Sequence, residues 1–76
     1  MANKESLNMS HVYGVTEVVG SSTESSDDAI RQAVAKASET VRNLEWFEVT
    51  TQRGHIENGQ VAHFQVAIKI GFRYDR

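Results

Sequence analysis

An α+β fold of order β-α-β-β, with a three-stranded antiparallel sheet wrapped around one helix, is predicted by three features. Asn58-Gly59 separates two long runs that alternate apolar and polar residues. Ahead of them Ile30, Ala33, Val34, Ala37 and Val41 recur at helical spacing as one apolar stripe. Ahead of the helix, His11 to Val19 is rich in β-branched residues and reads as the first strand.

The hairpin carries the most information. Asn-Gly is a strong hairpin signal because both central residues of a type I′ turn need positive φ. Counting outward from a two-residue loop pairs Glu57 with Gln60, Gln52 with Gln65, Thr50 with Ala67 and Val49 with Ile68. The same count pairs Glu48 with Lys69, Phe47 with Ile70 and Trp46 with Gly71. Opposed residues share a face. One face then carries Phe47, Val49, Phe64, Val66, Ile68 and Ile70, which is a core face. The other holds Trp46, Glu48, Thr50, Gln52, Ile56, Val61, His63, Gln65, Ala67 and Lys69. Glu48 opposite Lys69 is an attractive pair that a one-residue slip would lose.

The remaining elements follow from local chemistry. Both faces of the first strand are partly apolar, so its core face stays open. Gly20 to Ser26 is turn and helix-start sequence, with Ser25 and Asp28 spaced as a capping box. Asp27 and Asp28 suit the positive end of the helix dipole. The helix is expected from about Asp27 to Arg42, with Asn43 as a left-handed residue at its end. Residues 1–10 are polar and aperiodic and read as a flexible tail. Residues 11–76 read as one domain.

Composition narrows the function. A 76-residue chain buries only about 60% of its unfolded surface, and such domains often rely on disulfides, metal or self-association. There is no cysteine, which excludes disulfides and thiolate metal sites and fits a cytoplasmic protein. A net charge of −2 without a basic run argues against nucleic-acid binding. No apolar run approaches the ~20 residues that span a bilayer, so no membrane partner is expected. Asn8-Met9-Ser10 matches a glycosylation sequon, but no secretory signal accompanies it. A single helix covers one face of the sheet. Burying the mixed outer face against copies of the chain would also remove long edge strands, so a homo-oligomer is expected.

No catalytic constellation stands out: there is no nucleophile elbow, P-loop or GxGxxG. Glu45 and Glu48 are close in sequence but alternate in face. On the counted register His55 and His63 point to opposite faces, so no metal site is expected from one chain. Trp46 is the odd residue, on the outer face opposite a glycine that cannot cover an indole. It suits either stacking by a ligand or packing against another subunit. Gln65 shares that face, and its amide can both donate to and accept from a heteroaromatic edge or pair with Gln52. Trp46 and Gln65 lie ~20 Å apart along the strands, so one small ring touching both would sit between subunits.

The runs VYGVTEVVGSS, DDAIRQAVAKASETVRNLEWFEV and RGHIENGQVAHFQVAIKIGF resemble the dodecins, small flavin-binding proteins, over about Val12 to Arg73. The resemblance implies a hollow homododecamer with flavins paired between tryptophans at subunit interfaces. Trp46 matches the stacking tryptophan and Gln65 the glutamine at the isoalloxazine edge. Arg53 and Arg73 match basic residues near the phosphate, which implies FMN, with riboflavin as the alternative. The counted register puts Arg53 on the core side, so that role would need a curled sheet or a neighbouring subunit. Some members also bind coenzyme A, for which Lys36 and His11 are the candidates. The implied function is flavin storage and photoprotection without catalysis. The competing expectations are a flavin-dependent redox enzyme and a purely structural oligomer.

Overall fold

A computed structural model describes residues 11–74, and the expected tail over residues 1–10 lies outside them. The order is β1 (Tyr13–Ser22), α1 (Ser26–Ala37), β2 (Leu44–Glu57) and β3 (Gln60–Arg73). The three strands form one antiparallel sheet in the order β1-β3-β2. The β-α-β-β expectation holds.

Asn58 and Gly59 have φ of 53° and 75°, the two positive angles a type I′ turn requires. Glu57 faces Gln60, and at the far end Val49, Glu48, Phe47 and Trp46 face Ile68, Lys69, Ile70 and Gly71 as counted. Between these ends the register departs from the count. β3 has an extra residue, Ala62, between the pairs Ile56–Val61 and His55–His63. β2 has an extra residue, Thr50, between Val49–Ile68 and Thr51–Ala67, which restores the register. The Thr50 hydroxyl donates to the Ala67 carbonyl oxygen at 3.1 Å, so the second bulge is tied down by its own side chain. Between the bulges Gln52 faces Val66 and Arg53 faces Gln65. The expected Gln52–Gln65 and Thr50–Ala67 pairs do not form. A bulge shifts pairing by one residue, and with a side-chain period of two that exchanges faces.

β1 continues beyond Val19 through Gly20, Ser21 and Ser22, which pair with Val66, Gln65 and Phe64. Its core face is the one carrying Val18, which packs against the buried cluster. That cluster is Ala29, Ala33 and Ala37 from α1 with Val66, Ile68 and Ile70 from β3, flanked by Ile30, Val34 and Leu44. Small residues let the layers approach: a Cβ on Gly20 would run into the carbonyl oxygen of Ala29. Ala29, outside the predicted stripe, is fully buried for this reason. α1 covers β1 and β3 and leaves β2 open, so Phe47 and Val49 remain 49% and 43% exposed on the helix side.

The Ser25 hydroxyl accepts from the Asp28 N–H at 2.9 Å, the expected cap. Ser22 adds a second layer: its hydroxyl donates to Asp28 Oδ2 at 2.7 Å and accepts from the Glu24 N–H at 2.8 Å. Gln32 Nε2 also donates to Asp28 Oδ2, at 2.7 Å. These bonds, Ser22 first and Gln32 second, with a smaller contribution from Arg31, hold the Asp28 carboxyl below its ordinary value. At its other end α1 stops at Ala37, five residues before the expected Arg42, where bonds from Glu39 to Lys36 and Thr40 to Ala37 tighten the chain. Asn43 is left-handed as expected, with φ of 64°, but it opens β2 instead of closing the helix.

Two outcomes follow from this packing. Gly20→Ala should lower stability by about 1–3 kcal/mol, read as a shift in the denaturation midpoint, because the helix backbone must move to admit the methyl. A carboxyl held low in the folded state contributes stability above its unfolded value near 3.9, and that stability is lost as pH falls through the folded value. Asp28→Asn should therefore flatten the acid side of a melting-temperature profile below about pH 4 while changing its shape little near neutrality.

Candidate functional site

The face of the sheet turned away from α1 holds the candidate residues, and the alternation of β3 sets it. Val66, Ile68 and Ile70 point into the core, so Gln65, Ala67, Lys69 and Gly71 point outward. The residues paired with them on either side share that outer face: Ser21, Val19, Glu17 and Val15 from β1, and Arg53, Thr51, Glu48 and Trp46 from β2. Two groups of candidate side chains result, at opposite ends of one surface.

The first group centres on Trp46. Its indole lies directly on Gly71, where an added Cβ would collide with Cε2, Cζ2 and Nε1 of the ring. Gly71 is buried beneath that ring, while Trp46 itself remains 42% exposed. Tyr13 stands beside the indole with ring centroids 6.5 Å apart and planes inclined at 59°. Tyr13 was not among the sequence candidates. It faces Arg73 across the β1–β3 ladder, two residues from the Val15–Gly71 pair, which brings it to the indole.

Arg73 closes this end. Its N–H donates to the Asn43 carbonyl at 3.0 Å, and the Asn43 amide donates back to the Arg73 carbonyl at 3.3 Å. The left-handed Asn43 thereby clamps the start of β2 to the end of β3. A register shift follows at once, between Leu44 and Trp46, and Glu45 is the extra residue. The Glu45 carboxylate lies 3.8 Å from the Arg73 guanidinium, so Arg73 is held next to the Trp46 group.

The second group centres on Gln65, flanked by Ser21 on one side and Arg53 on the other. The expectation that Arg53 lies on the core side is corrected, because the two bulges move it onto the outer face beside Gln65. His55 and His63, expected on opposite faces, are directly paired, with ring centroids 6.0 Å apart. Ser21, Gly54, His55, Glu57, His63 and Gln65 line an open depression of about 430 Å³. Nothing in the sequence marks the bulge at Ala62, so the histidine pair was not legible there.

Gln65 and Gly71 are six residues apart on β3, ~20 Å in an extended strand, so Gln65 and the Trp46 group stay separate within one chain. Lys36, exposed on α1, pairs with Glu39 at 3.5 Å. His11 packs edge-on to Tyr13 with centroids 6.4 Å apart. Among the described residues no helix is long and apolar enough to cross a membrane.

The family model of dodecin matches residues 12–75. The chain is 43% identical over 67 residues to a dodecin of Thermus thermophilus, covering 88% of this chain and 97% of that one. Its fold matches the structure of a dodecin from Streptomyces coelicolor with a TM-score of 0.82 at 59% identity, covering 87% of this chain and 94% of that one. A dodecin from Streptomyces davaonensis matches with a TM-score of 0.82 at 52% identity, covering 87% and 97%. The Thermus thermophilus dodecin has also been solved with an arginine replaced by alanine at either of two positions and with a tryptophan replaced by phenylalanine. On its sequence and its fold alike, this chain belongs to the dodecin family.

Proposed function

We propose that this chain binds FMN between the subunits of a cytoplasmic homododecamer, storing the flavin and shielding it from light-driven chemistry without catalytic turnover. The observation that carries this reading is the placement of Trp46. One side of its indole rests on the bare backbone of Gly71, on the sheet face opposite the helix, and the ring remains 42% exposed. A glycine beneath an exposed indole leaves a flat aromatic platform for an incoming ring. Stacking of this kind is worth ~1–3 kcal/mol per base in nucleic-acid systems, a guide to each indole–isoalloxazine face.

Assembly is supported by what β2 leaves uncovered. All 14 of its residues are exposed or half-exposed, and it runs along one edge of the sheet. Long edge strands with apolar side chains are ordinarily paired or covered. Gln65 and Trp46 sit too far apart to serve one isoalloxazine from a single chain. Between subunits, Trp46 of one copy would supply the stacking face and Gln65 of another the hydrogen bonds to the ring edge.

Arg53 and Arg73 are the groups proposed for the phosphate. Trp46, Arg53 and Arg73 follow one another at intervals of seven and twenty residues. The three positions altered in the Thermus thermophilus variants stand at the same intervals. An indole against the flavin can donate an electron to its excited state and take it back, which quenches reactive photochemistry. Covering both ring faces also keeps a second substrate away, which favours storage over redox turnover.

Adding FMN to the purified apoprotein should quench flavin fluorescence and saturate near one flavin per subunit. Trp46→Ala should weaken binding at least tenfold. A large oligomer that quenches no FMN would make Trp46 a subunit contact and end the flavin reading. Arg53→Ala or Arg73→Ala should weaken FMN several-fold and leave riboflavin, which has no phosphate, unchanged. Equal losses for both ligands would remove the phosphate role.

A further inference from the structure

His55 and His63 are the side chains that the flavin reading does not use, and the bulge at Ala62 brings them together. They are exposed cross-strand partners on the outer face of the hairpin, with ring centroids 6.0 Å apart and planes inclined at 51°. Two imidazoles bound to one ion through bonds of about 2.0–2.1 Å keep their centroids within about 6.5 Å of each other. That limit belongs to a linear arrangement; tetrahedral or cis octahedral bonding needs about 4.5–5.3 Å, so the two exposed rings must close by about 1 Å from their separation here.

The surroundings favour a ligand over a simple aromatic contact. The Glu57 carboxylate lies 3.4 Å from Nε2 of His55. Metal-binding histidines commonly carry a carboxylate beside the ring nitrogen that does not face the metal, and Glu57 stands in that position toward Nε2, with Nδ1 as the other ring nitrogen. Gly54, next to His55, would push a Cβ against the His63 carbonyl oxygen, and its lack of a side chain keeps the two strands close. The depression of about 430 Å³ bordered by both rings leaves space for an ion and its water ligands.

We propose that His55 and His63 form a two-imidazole chelate for a borderline divalent transition-metal ion of the nickel, copper and zinc group. Among the described residues no set of three or more histidine and carboxylate groups converges as a metal site. The ion therefore takes two protein nitrogens and completes its coordination with water. Nitrogen donors select this group of metals over magnesium and calcium, which take oxygen ligands. The chelate uses neither Trp46 nor the arginines, although Gln65, proposed for the flavin edge, borders the same depression. It stands or falls on the hairpin alone.

Nickel(II) chloride titrated calorimetrically into the full-length, flavin-free protein, without a histidine tag, should bind at one ion per chain. A tenfold excess of magnesium should not displace it. His55→Gln and His63→Gln should each weaken nickel at least tenfold, and the double variant should be little worse than either, because a chelate is lost with its first arm. One substitution without effect, or displacement by magnesium, would overturn the proposal. The unaltered chain offers a test that needs no variant. Electron paramagnetic resonance of bound copper(II) should show splitting from two nitrogens, and splitting from one would overturn it.

Discussion

Alternation along β3 is the constraint on which the rest of the molecule depends. It is the central strand, paired on both edges, so its register governs β1 and β2 together. Val66, Ile68 and Ile70 are almost fully buried under α1. The residues between them must then point away from the helix, which commits Gln65, Ala67, Lys69 and Gly71 to the outer face. Core and candidate site are two sides of one strand. A slip of one residue would expose the core and bury Gln65 at the same time.

Close approach of helix and sheet gives that register its stability. Gly20 and the alanines of α1 let the backbones come together, while the linked bonds of Ser22, Ser25, Asp28 and Gln32 anchor the start of the helix. A single helix of 12 residues cannot cover three strands, and it covers β1 and β3. Trp46, Phe47, Val49, Ile56 and Val61 are left exposed along the hairpin. The physical demand to cover that surface and the proposed sharing of a flavin between subunits point to the same solution, since copies of the chain can do both.

The bulges divide the hairpin into zones of different register. Near Trp46 the pairing carries a flat platform over Gly71, clamped by Asn43 and Arg73. Between Thr50 and Ala62 the pairing is shifted by one, which presents Arg53 beside Gln65 and His55 beside His63. Bulges are a means of re-aiming side chains without breaking a strand, and they occur often beside functional sites. Here they bring Arg53 and His55 onto the outer face beside Gln65 and His63, and turn Gln52 toward the core side.

By itself the sequence determined whatever depends on near neighbours. The type I′ turn needed only Asn58-Gly59, the helix start only Ser25 and Asp28, and the core faces only a period of two or of 3.6 residues. Trp46 opposite Gly71 was legible because the two bulges between it and the turn cancel. Tertiary structure decided the rest. Bulges interrupt the pairing of two 14-residue strands, and no residue type announces their place. That is why Arg53 and His55 changed face, while the helix stopped at Ala37, where the chain had to turn back toward β3 to lay Asn43 against Arg73. Local chemistry specifies a turn or a cap within a few residues. Which side chains share a surface far from the turn is a property of the entire ladder.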